Sequence, residues 1–263
     1  MGGITFGLYL GANTVSPATD LCRGLSSAAG VAVSLDPGLG WAERDRQIRD
    51  GSAGIVWACG LWTTELLDAG RADLEIVAAP VFPGREGATY RSVVIARVGE
   101  SIGGGAVAVG GGAVAVIAES RGLVLAVNGR DSWSGFHALR VHLAEAGRRE
   151  SPFDRIVETG GHDGSIEAVL DGRADVAAID DTIWAERVAT DRRLDALRVV
   201  ERTRPWPAPP ISVSRSIDGE VRSAIVAALP EQRPMGLRRI VPASSADYDV
   251  MRRGVAVSRE LGW

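Results

Sequence analysis

The chain has 263 residues and a mass of 27.6 kDa, enough for one large domain or two lobes of ordinary size. Apolar residues make up 46% and charged residues 24%, a globular balance. A net charge of −4 and a pI near 5.5 exclude an overall basic nucleic-acid binder, and no apolar run is long enough to predict a membrane span.

The predicted elements alternate between strand and helix. Residues 4–10 read as a first strand, and Ser16-Pro17 as the start of a helix that Gly30 stops. The charged segment 41–50 predicts an exposed helix anchored by Trp41 and Ile48. Strands follow at 55–58 and 74–82, with a helix over 62–69 between them. Further strands are predicted at 93–96, 123–127, 155–159 and 176–179, and one around 199–200. Helices are predicted over 134–147, 163–171, 182–189, 218–228 and 246–260, the last capped by Ser245. This grammar predicts an α/β fold with a mostly parallel sheet.

Two repeats stand out. Gly70-Arg71-Ala72-Asp73-Leu74 is echoed by Gly172-Arg173-Ala174-Asp175-Val176, each between an apolar helix and an apolar strand. Each reads as an αβ corner, whether as a common loop or as the mark of two lobes built alike. The second repeat is a perfect tandem of Gly-Gly-Gly-Ala-Val-Ala-Val over 103–116. It lacks the strand, helix and acid that a dinucleotide fingerprint needs, so it predicts a surface insertion and no cofactor.

All 29 basic residues are arginine, which removes lysine Schiff bases and P-loop lysine chemistry. Cys22 and Cys59 are too few for a disulfide framework. The opening Met-Gly-Gly matches neither a secretory leader nor a myristoylation signal. The expected location is therefore the cytoplasm, or outside it if a leader has been removed.

Three strand-to-helix junctions concentrate the chemistry. At 128–135, Ser132 and Ser134 open a helix whose N–H groups and dipole suit an anion, and Gly135 follows. At 159–165, two glycines lead to His162 at a helix entrance, where α/β sheets bind ligands. At 180–184, Asp181 is expected to cap the next helix, leaving Asp180 at a strand end to face a cleft. Cys59-Gly60 ends an earlier strand in the same position, and Tyr9 and Tyr90 lie near strand ends as neutral donors. His137 and His142 read as surface or packing residues. HExxH, CxxC and GxSxG are all absent, so no catalytic residue and no metal ligand is assigned.

In this order, Tyr90-Arg91-Ser92, Asp131-Ser132-Trp133-Ser134-Gly135, Gly160-Gly161-His162-Asp163 and the run from Ala168 to Asp180 resemble the phosphate/phosphite/phosphonate-type substrate-binding proteins of ABC transporters. The resemblance spans about residues 4–215 and is strongest over 120–185. It implies the type 2 periplasmic-binding architecture: lobe one from 1–89 plus 205–263, lobe two from 90–204, and a ligand held between them. By carry-over, Ser132 and Ser134 donate to an oxyanion, with His162 and Tyr90 adding donors. The implied partners are a small anion and an ABC transporter permease, with no nucleic acid and no membrane insertion. Pro209 before the 210–211 strand and Thr182 after the aspartates depart from relatives that hold an ammonium group with acidic residues, which argues against an aminoalkyl ligand. Trp133, in place of a small residue, is expected to narrow the pocket or to stack on the ligand, with Trp62 and Trp206 near it. The competing expectation is a cytoplasmic enzyme or sensor on the same scaffold, with His162 and Asp180 in acid–base roles.

Overall fold

The computed structural model describes residues 3–35, 41–99 and 114–263, with the backbone alone at 41, 42, 44 and 114–116. In chain order the elements are β1 (Ile4–Tyr9), α1 (Val15–Ala29), β2 (Val33–Leu35), α2 (Trp41–Arg49), β3 (Ala53–Ala58), α3 (Gly60–Asp68), β4 (Leu74–Val81), β5 (Thr89–Tyr90), β6 (Ser92–Arg97), α4 (Val114–Glu119) and β7 (Leu123–Val127). They continue with α5 (Ala138–Glu145), β8 (Phe153–Glu158), α6 (His162–Leu170), β9 (Val176–Asp180), α7 (Asp181–Thr190), β10 (Leu197–Arg202), β11 (Trp206–Pro207), β12 (Ile211–Ser214), α8 (Gly219–Ala228), β13 (Arg239–Pro242) and α9 (Asp249–Glu260). The tandem repeat lies outside the described residues except for its last three positions, which open α4.

The chain forms two compact units, Met1–Thr89 with Pro207–Val250, and Tyr90–Trp206 with Met251–Trp263. The first holds a six-stranded sheet in the order β13-β4-β12-β3-β1-β2. Within it, β1 runs parallel to β2 and β3, while β12 is antiparallel to β3 and β4. Side chains along β3 alternate between two apolar layers. Ile55 and Trp57 pack with Phe6, Leu8, Leu21 and Leu25, whereas Val56 and Ala58 pack with Ile48 and Leu66. α1 begins at Val15, ahead of the predicted Ser16 cap, and ends at Gly30, whose φ of 67° lies where only glycine sits without strain.

The second unit holds a five-stranded sheet in the order β10-β6-β9-β7-β8. β7 is parallel to both β8 and β9, and β6 is antiparallel to β9 and β10. Its two apolar layers centre on Leu125, Val127, Phe136 and Leu139 on one face, and on Ile95, Ala126, Ile166 and Ile179 on the other.

The two Gly-Arg-Ala-Asp corners adopt one conformation, once in each unit. Gly70 and Gly172 take φ of 62° and 77°. Arg71 N–H donates to Leu66 O and Arg173 N–H to Ala168 O, at 2.9 and 2.8 Å, closing the helix ends. The carboxy-terminal residues differ from the expected partition. Residues 251–263 pack on the second unit, where Trp263 meets Phe153 edge-on at 5.7 Å and donates from Nε1 to Arg149 O at 3.2 Å. The cap ahead of α9 is Ser244, which forms a capping box with Asp247, and not Ser245.

Candidate functional site

Because β7, β8 and β9 are parallel, Asn128, Thr159 and Asp180 all leave the second unit's sheet at the same, carboxyl edge. The antiparallel β6 starts there, with Ser92 opposite Asp180. Three helix entrances and one strand start therefore share this edge.

The first entrance is the serine turn. Residues Trp133–His137 form a single turn of π-helix ahead of α5, with His137 N–H bonded to Ser132 O at 3.1 Å. Such turns occur often at functional sites. Ser132 is the N-cap, its Oγ accepting from Gly135 N–H at 3.1 Å. That leaves Ser134 Oγ to point elsewhere, and it lies 3.0 Å from His162 Nε2. Ser92 Oγ fixes the turn from below by donating to Ser134 O at 2.8 Å.

The second entrance positions His162. Gly160 takes a φ of 81°, and Thr159 Oγ1 bonds Val127 O, Gly161 O and Ser165 Oγ at 3.0, 3.0 and 2.7 Å. These bonds set the first residue of α6 toward the serine turn. Burial pulls the His162 pKa down to about 4, so the ring is neutral at pH 7. Its Nδ1 is buried without a protein partner. A neutral imidazole carries one N–H and one lone pair. If Nε2–H donates to Ser134, the serine proton is left for a ligand. If Nε2 accepts, Nδ1–H is the free donor. Either tautomer leaves one uncharged donor in the Ser134–His162 pair.

The third entrance corrects one expectation. Asp180, not Asp181, caps α7, its Oδ1 accepting from Thr182 N–H at 2.8 Å and from Thr182 Oγ1–H at 2.6 Å. The reason is local: residue 180 still has non-helical backbone, while 181 is already helical. Burial raises the Asp180 carboxyl to about 6, against the lowering effect of the Thr182 bonds. Asp181 Oδ1 accepts from Arg91 N–H at 3.1 Å. Tyr90 is buried at the end of β5, and the Arg91 guanidinium is turned to Thr203 O at 2.8 Å.

Trp133 is fully buried, edge-on to Trp206 at 4.6 Å and stacked over His137 at 6.3 Å. It points into the core of its unit, behind the serines. Trp62 lies in the other unit, 5.3 Å from Tyr9. Tyr9, Cys59 and Gly60 stand at the carboxyl edge of the first unit's sheet. The Tyr9 ring lies over Gly7, where a Cβ would come within 2.6 Å of it. Cys59 is a half-buried cysteine outside any disulfide, at the N-cap of α3, and Gly60 opens that helix as a buried residue. Cys22 is buried and likewise outside any disulfide.

A family model described as ABC transporter, phosphonate, periplasmic substrate-binding protein matches residues 12–248. The chain belongs to this family. The match takes in the three helix entrances of the second unit and the Cys59-Gly60 junction of the first, and begins after Tyr9.

The substrate-binding fold is shared with solved structures at low identity. A binding-protein component of an ABC phosphonate transporter from Pseudomonas aeruginosa aligns with a TM-score of 0.79 at 16% identity, over 98% of this chain and 87% of that one. PhnD1 from Prochlorococcus marinus, solved with methylphosphonate, gives 0.79 at 15% identity, over 98% of both chains. A Xanthomonas citri protein solved with chloride gives 0.69 at 15% identity, over 98% of this chain and 97% of that one. No curated protein matches this substrate-binding protein in sequence.

Three contributors were not read from the sequence as site residues. Ser92 and Thr159 act only once the strands are ordered side by side. Asn128 sits so close to Gly135 that a Cβ there would come within 1.6 Å of its Oδ1, an atom buried without a hydrogen-bond partner. An asparagine that closes a strand just ahead of a serine turn was the available signal for it. Among the described residues, no group of three or more His, Cys, Asp or Glu gathers to hold a metal, and no helix is long and apolar enough to cross a membrane.

Proposed function

We propose that this chain is the substrate-binding component of an ABC uptake system and captures a small phosphorus oxyanion, phosphonate-like in class. The observation that carries the reading is the 3.0 Å pairing of Ser134 Oγ with His162 Nε2. It joins the entrances of two helices at one sheet edge and leaves a neutral donor there. Helix N-terminal amides, serine hydroxyls and a neutral imidazole stabilise an anion by directed hydrogen bonds without a lysine. The methylphosphonate carried by PhnD1 supports this ligand class. The ligand is returned unchanged to a permease. Asp180 bonds Thr182 and His162 bonds Ser134, an arrangement that supports holding an anion over acid–base turnover in this reading.

The test is a thermal melt with methylphosphonate, phosphite, phosphate and sulfate, followed by phosphorus NMR of the recovered ligand. Ligand at 100 times its Kd adds about 2.7 kcal/mol, a Tm rise of roughly 5–10 °C for a chain of this size. A flat Tm with all three phosphorus anions refutes the ligand class. A new phosphorus signal refutes the non-catalytic reading.

A further inference from the structure

The serine turn has a front and a back. Its front presents Ser132 and Ser134, and its back is held at both ends by α9. At one end, a Cβ built on Gly254 would lie 2.6 Å from Trp133 Cη2, 3.4 Å from Trp133 Cζ2 and 3.4 Å from Trp206 Cη2. At the other end, Ser258 Oγ lies 2.9 Å from His137 Nδ1, and both residues are buried. Trp133 and His137 are the first and last residues of the π-helical turn that contains Ser134. Gly254 and Ser258 are four residues apart and so lie on one face of α9.

We infer that α9 is a positioning element for the anion site, with Gly254 setting the depth of Trp133 and thereby the placement of the two serines. Gly254 touches no donor of the site. It lies inside a twelve-residue helix, where glycine is disfavoured by about 1 kcal/mol relative to alanine. Its backbone φ is not positive, so no turn requires it. What it supplies is room: the indole lies against the helix backbone. Trp133 is fully buried and boxed by Trp206 and His137, so it has little freedom to rotate away. Restoring ordinary contact after Gly254→Ala moves the ring by about 0.8 Å, and displacements near this size weaken a site built from directed hydrogen bonds.

This inference rests on the proposed function for its affinity readout, and a second readout needs no ligand. The experiment compares wild type, G254A, W133F and G254A/W133F by titration with methylphosphonate. In parallel, the Gly135 amide and the His162 ring nitrogens are followed by NMR in ligand-free protein. G254A is expected to weaken binding by about tenfold or more and to shift both resonances, with the fold retained. The smaller phenylalanine removes the outer ring atoms that meet the new methyl, so the double variant returns toward the W133F values. Ser258→Ala, which frees His137 at the other end, is expected to shift the Gly135 amide in the same assay and covers the case in which G254A does not fold. Unchanged affinity together with unmoved resonances in G254A overturns the inference, as does a loss that W133F does not relieve. If wild type binds no phosphorus anion but the resonances move and recover as described, the positioning role stands and the ligand assignment falls.

Discussion

Ser134→Ala separates the two serines of the turn. The substitution removes the hydroxyl 3.0 Å from His162 Nε2, whose other nitrogen already lacks a protein partner. Two losses follow. A hydrogen bond to a charged ligand is worth about 1.5–3 kcal/mol, so the Kd for methylphosphonate should rise roughly 10- to 150-fold. A half-buried imidazole left without its partner costs about 1–3 kcal/mol of stability, and each kcal/mol lowers Tm by about 2–4 °C at this size. Ser132→Ala should behave differently, because its Oγ is engaged with Gly135 N–H as a helix cap. Its main effect is on stability, about 1 kcal/mol, with a smaller effect on affinity. Calorimetric titration and urea melts of both variants provide the comparison. Equal affinity for Ser134→Ala and wild type, or a larger affinity loss in Ser132→Ala, would refute the assignment of Ser134 as the facing donor.

Gly135→Ala should destabilise the fold by about 1–3 kcal/mol through overlap with Asn128, and N128A should relieve it in a double variant measured by urea melt. The pH dependence of stability has opposing contributions. Burial holds both His162 and His137 at about 4, below their unfolded value, so their contribution is present above about pH 6.5 and is lost as pH falls toward 4. Asp180 is raised to about 6, so its contribution has the opposite sign: present below about 4 and lost as pH rises to 6. Two histidines against one aspartate predict net loss of stability between pH 6.5 and 4, read from melts across that range, and H137Q should flatten the slope. Asp180→Asn keeps an acceptor for Thr182 N–H and removes a buried charge. It should be neutral or stabilising at pH 7 and give no gain at pH 4; a large destabilisation at pH 7 would show that the ionised carboxylate is needed.

The strand and helix pattern was legible because apolar spacing and glycine punctuation are local. The two Gly-Arg-Ala-Asp corners are the clearest case: helix end, left-handed glycine and strand start all lie within a few residues. The serine turn and His162 were legible as separate helix entrances. Their pairing was not, because a bond between residues 134 and 162 depends on β7 lying beside β8, and periodicity does not encode strand order. The cap at Asp180 depended on which of two adjacent aspartates first takes helical dihedrals, and composition is silent on that. Trp133 was read toward the ligand because a tryptophan beside two serines looks like a pocket wall. The structure turns it inward because α9 offers a glycine-sized recess behind it. The same long-range packing draws residues 251–263 to the second unit, which no local signal announced.

The Trp133–Trp206 contact also has an optical consequence. Two indoles held edge to face at 4.6 Å couple their excited states, and the imidazole of His137 beside them offers a quenching path. Of the seven tryptophans in the chain, Trp133 is part of the serine turn itself, and Trp206 packs edge-on against it. Any rearrangement of that turn changes how the pair absorbs and emits ultraviolet light, so the protein carries its own spectroscopic reporter, without added dye, directly behind the site where an anion would settle.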